Sequence, residues 1–369
     1  MKIMTLEKIP SRVTPGKLVE AVIDGTIVGE HPHVYPDAAV RDLISSPYAK
    51  YIRSVGDFRR IERPYDGETD LSGKTIFLWR HGGFGDVLFM TPLIRHLKRR
   101  FPKAKVKVAT GRNYQMVFRE NRDVARVYSY PIDLKQIESA DFHVHFEGTI
   151  EASKDPDAHA VDLFAAQAKC LLGDDEKLPV YAPEPVHVAE LAAELEPLRR
   201  GGTKLIGVQA RASSPIRTYP EHMTAKIIAK LAKKGYAVLV FGLAGHFPKG
   251  ARRAGVVDLC GKLTMEQTTA ALSLCDALIA PDSSLCHFAA AMNVPTVALY
   301  GPFPGNVRTR YYPKCVTLEA KARCAPCFTH GHGLCSEARL RKMDWSPCFG
   351  TIEPAQIIAS LKTLLSNAR

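Results

Sequence analysis

Apolar residues fall in short blocks that alternate between two periods along most of the chain. "KTIFLW" (74–79) holds a short apolar run, the pattern of a strand buried on both faces. "GDVLFMTPLIRHLKRRF" (85–101) follows with apolar residues at helical spacing. "AKVKVAT" (104–110) reads as the next strand, "NYQMVFREN" (113–121) as helical, and "VARVYSY" (124–130) and "FHVHF" (142–146) as strands. "AHAVDLFAAQAKCLLG" (158–173) returns to helical spacing. Strands alternating with helices at this interval predict βαβ units and a parallel sheet.

"DDEKLPVYAPEPVHVAE" (174–190) is polar and rich in proline, and it reads as a break between domains. The alternation then restarts. "TKLIGVQA", "YAVLVFG", "DALIAP" and "PTVALYG" read as strands, separated by the helical stretches "PEHMTAKIIAKLAKKG", "MEQTTAALSLC" and "SLCHFAAAMN". "PAQIIASLKTLLSNA" closes the chain as an amphipathic helix able to pack on either half. The first 72 residues lack this grammar and form an extension without an assigned role. The division is therefore 1–72, 73–180 and 181–369, with a parallel α/β sheet in each of the last two. Ligands of such folds sit beyond the carboxyl ends of the strands, and here also between the domains.

At 369 residues, with 46% hydrophobic and 24% charged residues, the composition is that of a folded globular chain and excludes a disordered one. No apolar run reaches the roughly 18–20 residues that a membrane helix needs. The start, "MKIMTLEKIPSRVTPGK", has no signal-peptide core, so the expected location is the cytoplasm. The formal net charge is +12, and much of the excess is local. Arg95, Lys98, Arg99, Arg100, Lys103, Lys105 and Lys107 crowd residues 95–107. They read either as a solvated helix face or as a footprint for anionic lipid, lipopolysaccharide or nucleic acid. The lipid reading adds peripheral contact with the inner face of the membrane. Cys170, Cys260, Cys275 and Cys286 lie in apolar contexts and read as reduced core residues.

The chemistry collects at strand ends. After the strand at 74–79, Gly82, Gly83 and Gly85 surround Phe84, and Asp86 follows. Such glycines permit a tight turn and a close backbone approach. Gly83-Phe84-Gly85 supplies a G-x-G, but Leu88 stands where a dinucleotide fingerprint needs its third glycine and no ribose-binding acid follows, so that fingerprint fails. In the second half Asp282, Ser283 and Ser284 end a strand and open a helix bearing His287, and Gly301-Pro302 ends the next strand. Asp282 or Ser283 is either a helix cap or part of an anion site that uses first-turn N–H groups and the helix dipole. Ser213, Ser214 and Arg217, in "QARASSPIRTYP" (209–220), suit a diphosphate. The strand end at Gly242 suits a nucleoside lying flat on it. Together these loops describe a half-site for a nucleoside diphosphate, with the Asp86 loop expected to face it across a cleft.

"RHGGFGDVLFMTPLIRHLKRRFPKAKV" and "DSSLCHFAAAMNVPTVALYGP", taken together, resemble the lipopolysaccharide heptosyltransferases, glycosyltransferase family 9 of the GT-B fold. The resemblance runs from about residue 74 to the C-terminus. It implies two Rossmann-like domains, acceptor then donor, and inverting transfer of a sugar from a nucleotide donor, usually ADP-heptose, to a cell-surface glycan. It implies Asp86 as general base, Arg217 near the phosphates and Asp282 on donor sugar hydroxyls. Ser283, Ser284 and His287 would contact the diphosphate and sugar, and no catalytic metal is implied. Asp155-Pro156-Asp157, the pattern of metal-dependent transferases, sits in a charged loop and is set aside. The chain departs from the family pattern at Ser284, where glycine is usual, at Phe303, where threonine is usual, and near His246, where an acid usually grips the ribose. Two alternatives remain: the same chemistry on a protein or nucleic-acid acceptor, or a non-catalytic nucleotide-sugar binding scaffold.

"CAPCFTHGHGLCSEARLRKMDWSPC" (324–348) spaces Cys324, Cys327, Cys335 and Cys348 as C-x2-C-x7-C-x12-C. One C-x-x-C knuckle with two further thiols suits a structural iron or zinc ion, with His330 and His332 as spare ligands. Some members of the resembled family carry an iron-binding cysteine cluster at this place.

Overall fold

The computed structural model describes residues 2–6, 33–35, 52–57, 62–130, 132–329, 331 and 333–367. It divides into two compact units, Met1–Lys177 and Leu178–Arg369.

In the first unit, strands β1 (Lys2–Leu6), β2 (His33–Tyr35) and β3 (Ile52–Asp57) pair antiparallel. The parallel sheet holds β4 (Thr75–Trp79), β5 (Lys105–Thr110) and β6 (Arg126–Ser129). Next comes β7 (Ile132–Asp133), which leaves that sheet and pairs with β2, giving the order β3-β1-β2-β7. Thus strands of the N-terminal extension join a strand of the 73–180 region, a pairing with no signal in the sequence. β8 (Phe142–His145) completes the parallel sheet in the order β6-β5-β4-β8. Val106 and Val108 of β5 and every residue of β4 are buried, as their apolar run requires. Trp79, Phe77 and Tyr130 are the largest side chains of one core cluster here.

The stretch predicted as a single helix at 85–101 is two, Phe84–Leu88 and Met90–Arg100. Pro92 is the cause. It has no N–H to give the Leu88 carbonyl four residues back, and the Thr91 hydroxyl donates to that carbonyl instead, at 2.8 Å. The second helix carries the basic stretch, and much of that charge is tied within the unit. Lys98 Nζ donates to the carbonyls of Pro102 and Ala104 at 2.6 and 2.9 Å, and Arg100 donates to the Gly67 carbonyl at 3.0 Å. Arg95 and Arg99 both reach Glu176, and Lys107 donates to Ser139.

In the second unit all six strands are parallel: β9 (Leu205–Gln209), β10 (Ala237–Phe241), β11 (Val256–Asp258), β12 (Ala277–Pro281), β13 (Thr296–Tyr300) and β14 (Cys315–Glu319). Their order is β11-β10-β9-β12-β13-β14. Counted from β9 this is 3-2-1-4-5-6, the doubly wound order. The four strands of the first unit's parallel sheet follow the same rule as 3-2-1-4. The edge strands β11 and β14 are only half-buried, which explains why no apolar run announces them. Helix Pro185–Arg199 begins inside the stretch expected to be a break, because Pro185 stands at the first helical position, where proline is accommodated. The C-terminal helix Pro354–Asn367 belongs to this unit and buries Ile357, Ile358, Leu361 and Leu365 in its core.

Candidate active site

In an open α/β sheet the loops diverge where the strand order reverses, and a crevice opens there. In the second unit that point lies between β9 and β12, and the predicted donor residues meet at it. The Ser283 hydroxyl, after β12, donates a short bond to Oε1 of Gln209, the last residue of β9. Arg217 Nη2 donates to Ser213 Oγ at 3.0 Å, and its Nη1 lies 3.7 Å from Asp282 Oδ2. Asp282 is 2% exposed, and its Oδ2 accepts no hydrogen bond. Ser283 is the N-cap residue of helix Ser284–Ala291 but makes no capping bond, because its hydroxyl is turned to Gln209. The first-turn N–H groups of this helix therefore lack the usual side-chain acceptor.

The remaining predicted residues lie around this cluster in different roles. Ser284 begins the helix. His287 is buried, its Nδ1 2.6 Å from the Tyr312 hydroxyl. Ser214 is turned the other way and donates to the Gly331 carbonyl of the cysteine-rich segment. Gly242 follows β10 directly, and a Cβ there would lie 2.8 Å from Cβ of His246. At Gly301 a Cβ would lie 2.9 Å from the Phe349 ring and 3.1 Å from Cys348 Sγ, so this glycine lets the 347–351 turn pack against the end of β13.

In the first unit the sheet order reverses between β4 and β8, and the loop holding Asp86 leaves from that point. Gly83, with φ of +83°, starts the short helix Phe84–Leu88 without any side-chain cap, and a Cβ there would sit 2.8 Å from Asp86 Oδ2. A Cβ on Gly82 would lie 3.1 Å from the Tyr114 ring. Gly85 passes its carbonyl to the Phe89 N–H at 2.9 Å. Asp86 is therefore no N-cap. Its Oδ2 lies 2.6 Å from Nη2 of Arg80, whose side chain is 7% exposed. Arg80 also meets Glu151 at 2.6 and 3.1 Å. Glu147, just after β8, accepts the His81 N–H at 2.5 Å. Burial pushes the Glu147 carboxyl up to about 7, against the opposing pull of Arg80.

Sequence reading missed Arg80, Glu147, Glu151 and Gln209. Arg80, Glu147 and Gln209 stand at or just past strand ends flanking the two reversal points, so their signal was position rather than type, while Glu151 lies on the short helix Thr149–Ala152 that follows β8. Asp155 accepts the Asp157 N–H at 2.9 Å in an exposed turn.

Cys324 and Cys327 are exposed, Cys335 half-buried and Cys348 buried. Cys335 Sγ accepts the Ala338 N–H and caps the helix Ser336–Leu340. Burial, reinforced by Cys324, Cys335 and Cys327, pushes the Cys348 thiol up to about 12. Among the described residues, no three or more ligating side chains converge as for a metal ion; His330 and His332 lie outside them. The segment also braces the donor loops. Ser346 Oγ donates to the Ile216 carbonyl at 3.0 Å, and the N–H groups of Cys327 and Phe328 donate to the Pro302 carbonyl at 3.0 and 2.8 Å.

Two parallel-sheet α/β units, each with polar strand-end loops where its strand order reverses, define the GT-B class. The model of glycosyltransferase family 9 (heptosyltransferase) matches residues 149–335, and the chain belongs to this family. The Asp86 loop lies outside the matched residues. The chain is 33% identical over 143 residues to lipooligosaccharide heptosyltransferase 2 of Haemophilus influenzae, an alignment covering 34% of this chain and 41% of the relative. It thus spans about two fifths of that relative's length. The structure of the E. coli ADP-heptose lipopolysaccharide heptosyltransferase II superposes with a TM-score of 0.62 at 18% identity, over 80% of this chain and 99% of that one. An iron-containing dodecameric glycosyltransferase from enterotoxigenic E. coli gives 0.60 at 14% identity, over 82% and 79%. At these identities the two solved structures bear on the fold.

No helix among the described residues is long and apolar enough to cross a membrane.

Proposed function

We propose that the protein is an inverting glycosyltransferase that moves heptose from ADP-heptose to a hydroxyl of a lipopolysaccharide-type acceptor. The observation that carries this reading is the buried Asp282 carboxylate, whose Oδ2 accepts no hydrogen bond and has only the Arg217 cation 3.7 Å away at the β9–β12 reversal. A buried acceptor left without a donor costs about 1–3 kcal/mol. The hydroxyls of a bound sugar would supply the missing donors. Arg217 and the first turn of helix Ser284–Ala291 would take the negative diphosphate. In the transfer an acceptor hydroxyl attacks the anomeric carbon, the bond from that carbon to the diphosphate oxygen breaks, and Asp86 takes the hydroxyl proton. The charge that develops on the leaving diphosphate is met by the cation and the helix terminus. Family membership and the resemblance of named motifs support the donor assignment.

The four cysteines would serve as a structural site for iron or zinc rather than as part of the reaction. Thiolates suit either metal, and Cys348 already feels the other three thiols. Any ion bound there would brace the loops carrying Arg217 and Pro302, with no catalytic step assigned to it.

The test is equilibrium binding of ADP, UDP, GDP, CDP, dTDP and NAD to the wild-type protein and to Asp282→Ala, followed by ADP-heptose. Selective ADP binding, with the gain in affinity from the heptose lost in the variant, is the expected result. Preference for another base would remove the heptose assignment, and no diphosphate binding at all would refute a transferase.

A further inference from the structure

We infer that Arg80 is the positioning residue of the base site, a saturated guanidinium clamp that fixes the Asp86 carboxylate in one orientation; this rests on reading Asp86 as the general base. A guanidinium carries five N–H donors in a rigid fork. Here Nε donates to the Gly82 carbonyl at 3.3 Å, and Nη1 donates to the Phe146 carbonyl at 2.9 Å and to Glu151 Oε2 at 3.1 Å. Nη2 donates to Asp86 Oδ2 and to Glu151 Oε1, both at 2.6 Å. Every donor is engaged by the protein, so Arg80 has none to offer a substrate. It acts through Asp86.

The anchors come from separate pieces of chain. Gly82 belongs to the loop after β4, Phe146 follows the neighbouring strand β8, and Glu151 sits on the short helix Thr149–Ala152. Phe146 is itself fixed, its N–H donating to the Trp79 carbonyl at 2.9 Å. A side chain held at three points has one conformation, and so does a carboxylate paired to it at 2.6 Å. Gly83 leaves that pair its room, since a Cβ would lie 2.8 Å from Asp86 Oδ2. The carboxylates that act on Arg80 beside Asp86 include Glu151 and Glu147, both from the segment after β8. Arg80 is therefore the cation that keeps a base among carboxylates ionised. Lysine would restore the charge but not the fork.

The experiment uses the full chain, with ADP release from ADP-heptose in the presence of deacylated lipopolysaccharide core. Arg80→Gln is expected to lower kcat by about 100-fold with ADP affinity within about twofold, and to move the acid limb of the kcat/KM profile up by about one pH unit. Arg80→Lys should return the limb toward wild type and recover only part of kcat. The same shift is readable without turnover, from the 13C-carboxyl signal that Asp86→Asn removes. If Arg80→Gln does not fold, Glu151→Gln, at a side chain 60% exposed, removes the forked anchor and should lower kcat several-fold at unchanged ADP affinity. An unmoved Asp86 titration, or activity lost only in proportion to ADP affinity, overturns the clamp. Asp86→Asn retaining wild-type turnover would instead overturn the base assignment itself.

Discussion

Arg217 lies 3.7 Å from Asp282 across the β9–β12 reversal, two loops separated by more than sixty residues of sequence. The guanidinium is 28% exposed and the carboxylate 2%, so the cation is the member of the pair that a ligand can reach. Arg217→Gln should weaken ADP by about 10–100-fold, the weight of one charge-assisted contact. Calorimetric titration measures it. Unchanged affinity would move the diphosphate elsewhere.

Asp282 should show the opposite balance of stability and binding. Its Oδ2 accepts no hydrogen bond in the free protein, a cost that the hydroxyls of a bound sugar remove. Asp282→Asn removes the desolvation cost of a buried carboxylate and with it the ion pair to Arg217. Because that cation is partly exposed, the variant's stability should lie within about 1 kcal/mol of the wild type. The variant should lose the discrimination between ADP-heptose and ADP. Thermal unfolding and competition binding read the two effects separately.

Glu147 makes stability depend on pH. Its folded pKa, about 7, lies above the ordinary 4.5, so the folded protein holds the proton more tightly than the unfolded chain. The wild type should then lose stability as pH rises from about 4.5 to 7, by up to roughly 3 kcal/mol. Glu147→Gln should remove this slope, matching wild type near pH 4 and exceeding it above pH 7. Urea unfolding across that range decides; parallel curves would show that the carboxyl titrates normally.

Ser346 is 1% exposed and ties the cysteine-rich segment to the loop of Arg217 through the Ile216 carbonyl. Ser346→Ala should cost about 1 kcal/mol and weaken ADP several-fold by loosening that loop. A stability loss with unchanged ADP affinity would make the tie purely structural.

Cys324→Ser tests the proposed ion. Wild-type protein should purify with about one equivalent of iron or zinc, and the variant should lose both metal and thermal stability. Because burial pushes the Cys348 thiol up, an ion binding there must displace its proton, and affinity should rise with pH. Elemental analysis settles the first point. Full metal loading in Cys324→Ser would exclude that ligand.

The sequence determined the elements whose burial is total. The runs inside "KTIFLW" and "DALIAP" are apolar without alternation because both faces of a parallel strand are covered, and glycines and prolines marked the loops between them. It also located Asp86, Arg217 and Asp282 at strand ends, where an α/β protein keeps its ligands. The edge strands β11 and β14 were not legible, since a half-buried edge need not be apolar. Nor was the pairing of β2 with β7, because antiparallel additions carry no local mark. Only the tertiary structure decided the partners. Arg80 meets Glu151 across 71 positions, Ser283 meets Gln209 across 74 and Ser346 meets Ile216 across 130. Each contact exists because strand order sets unrelated stretches side by side, and a hydrogen bond of about 3 Å depends on that adjacency and not on distance along the chain.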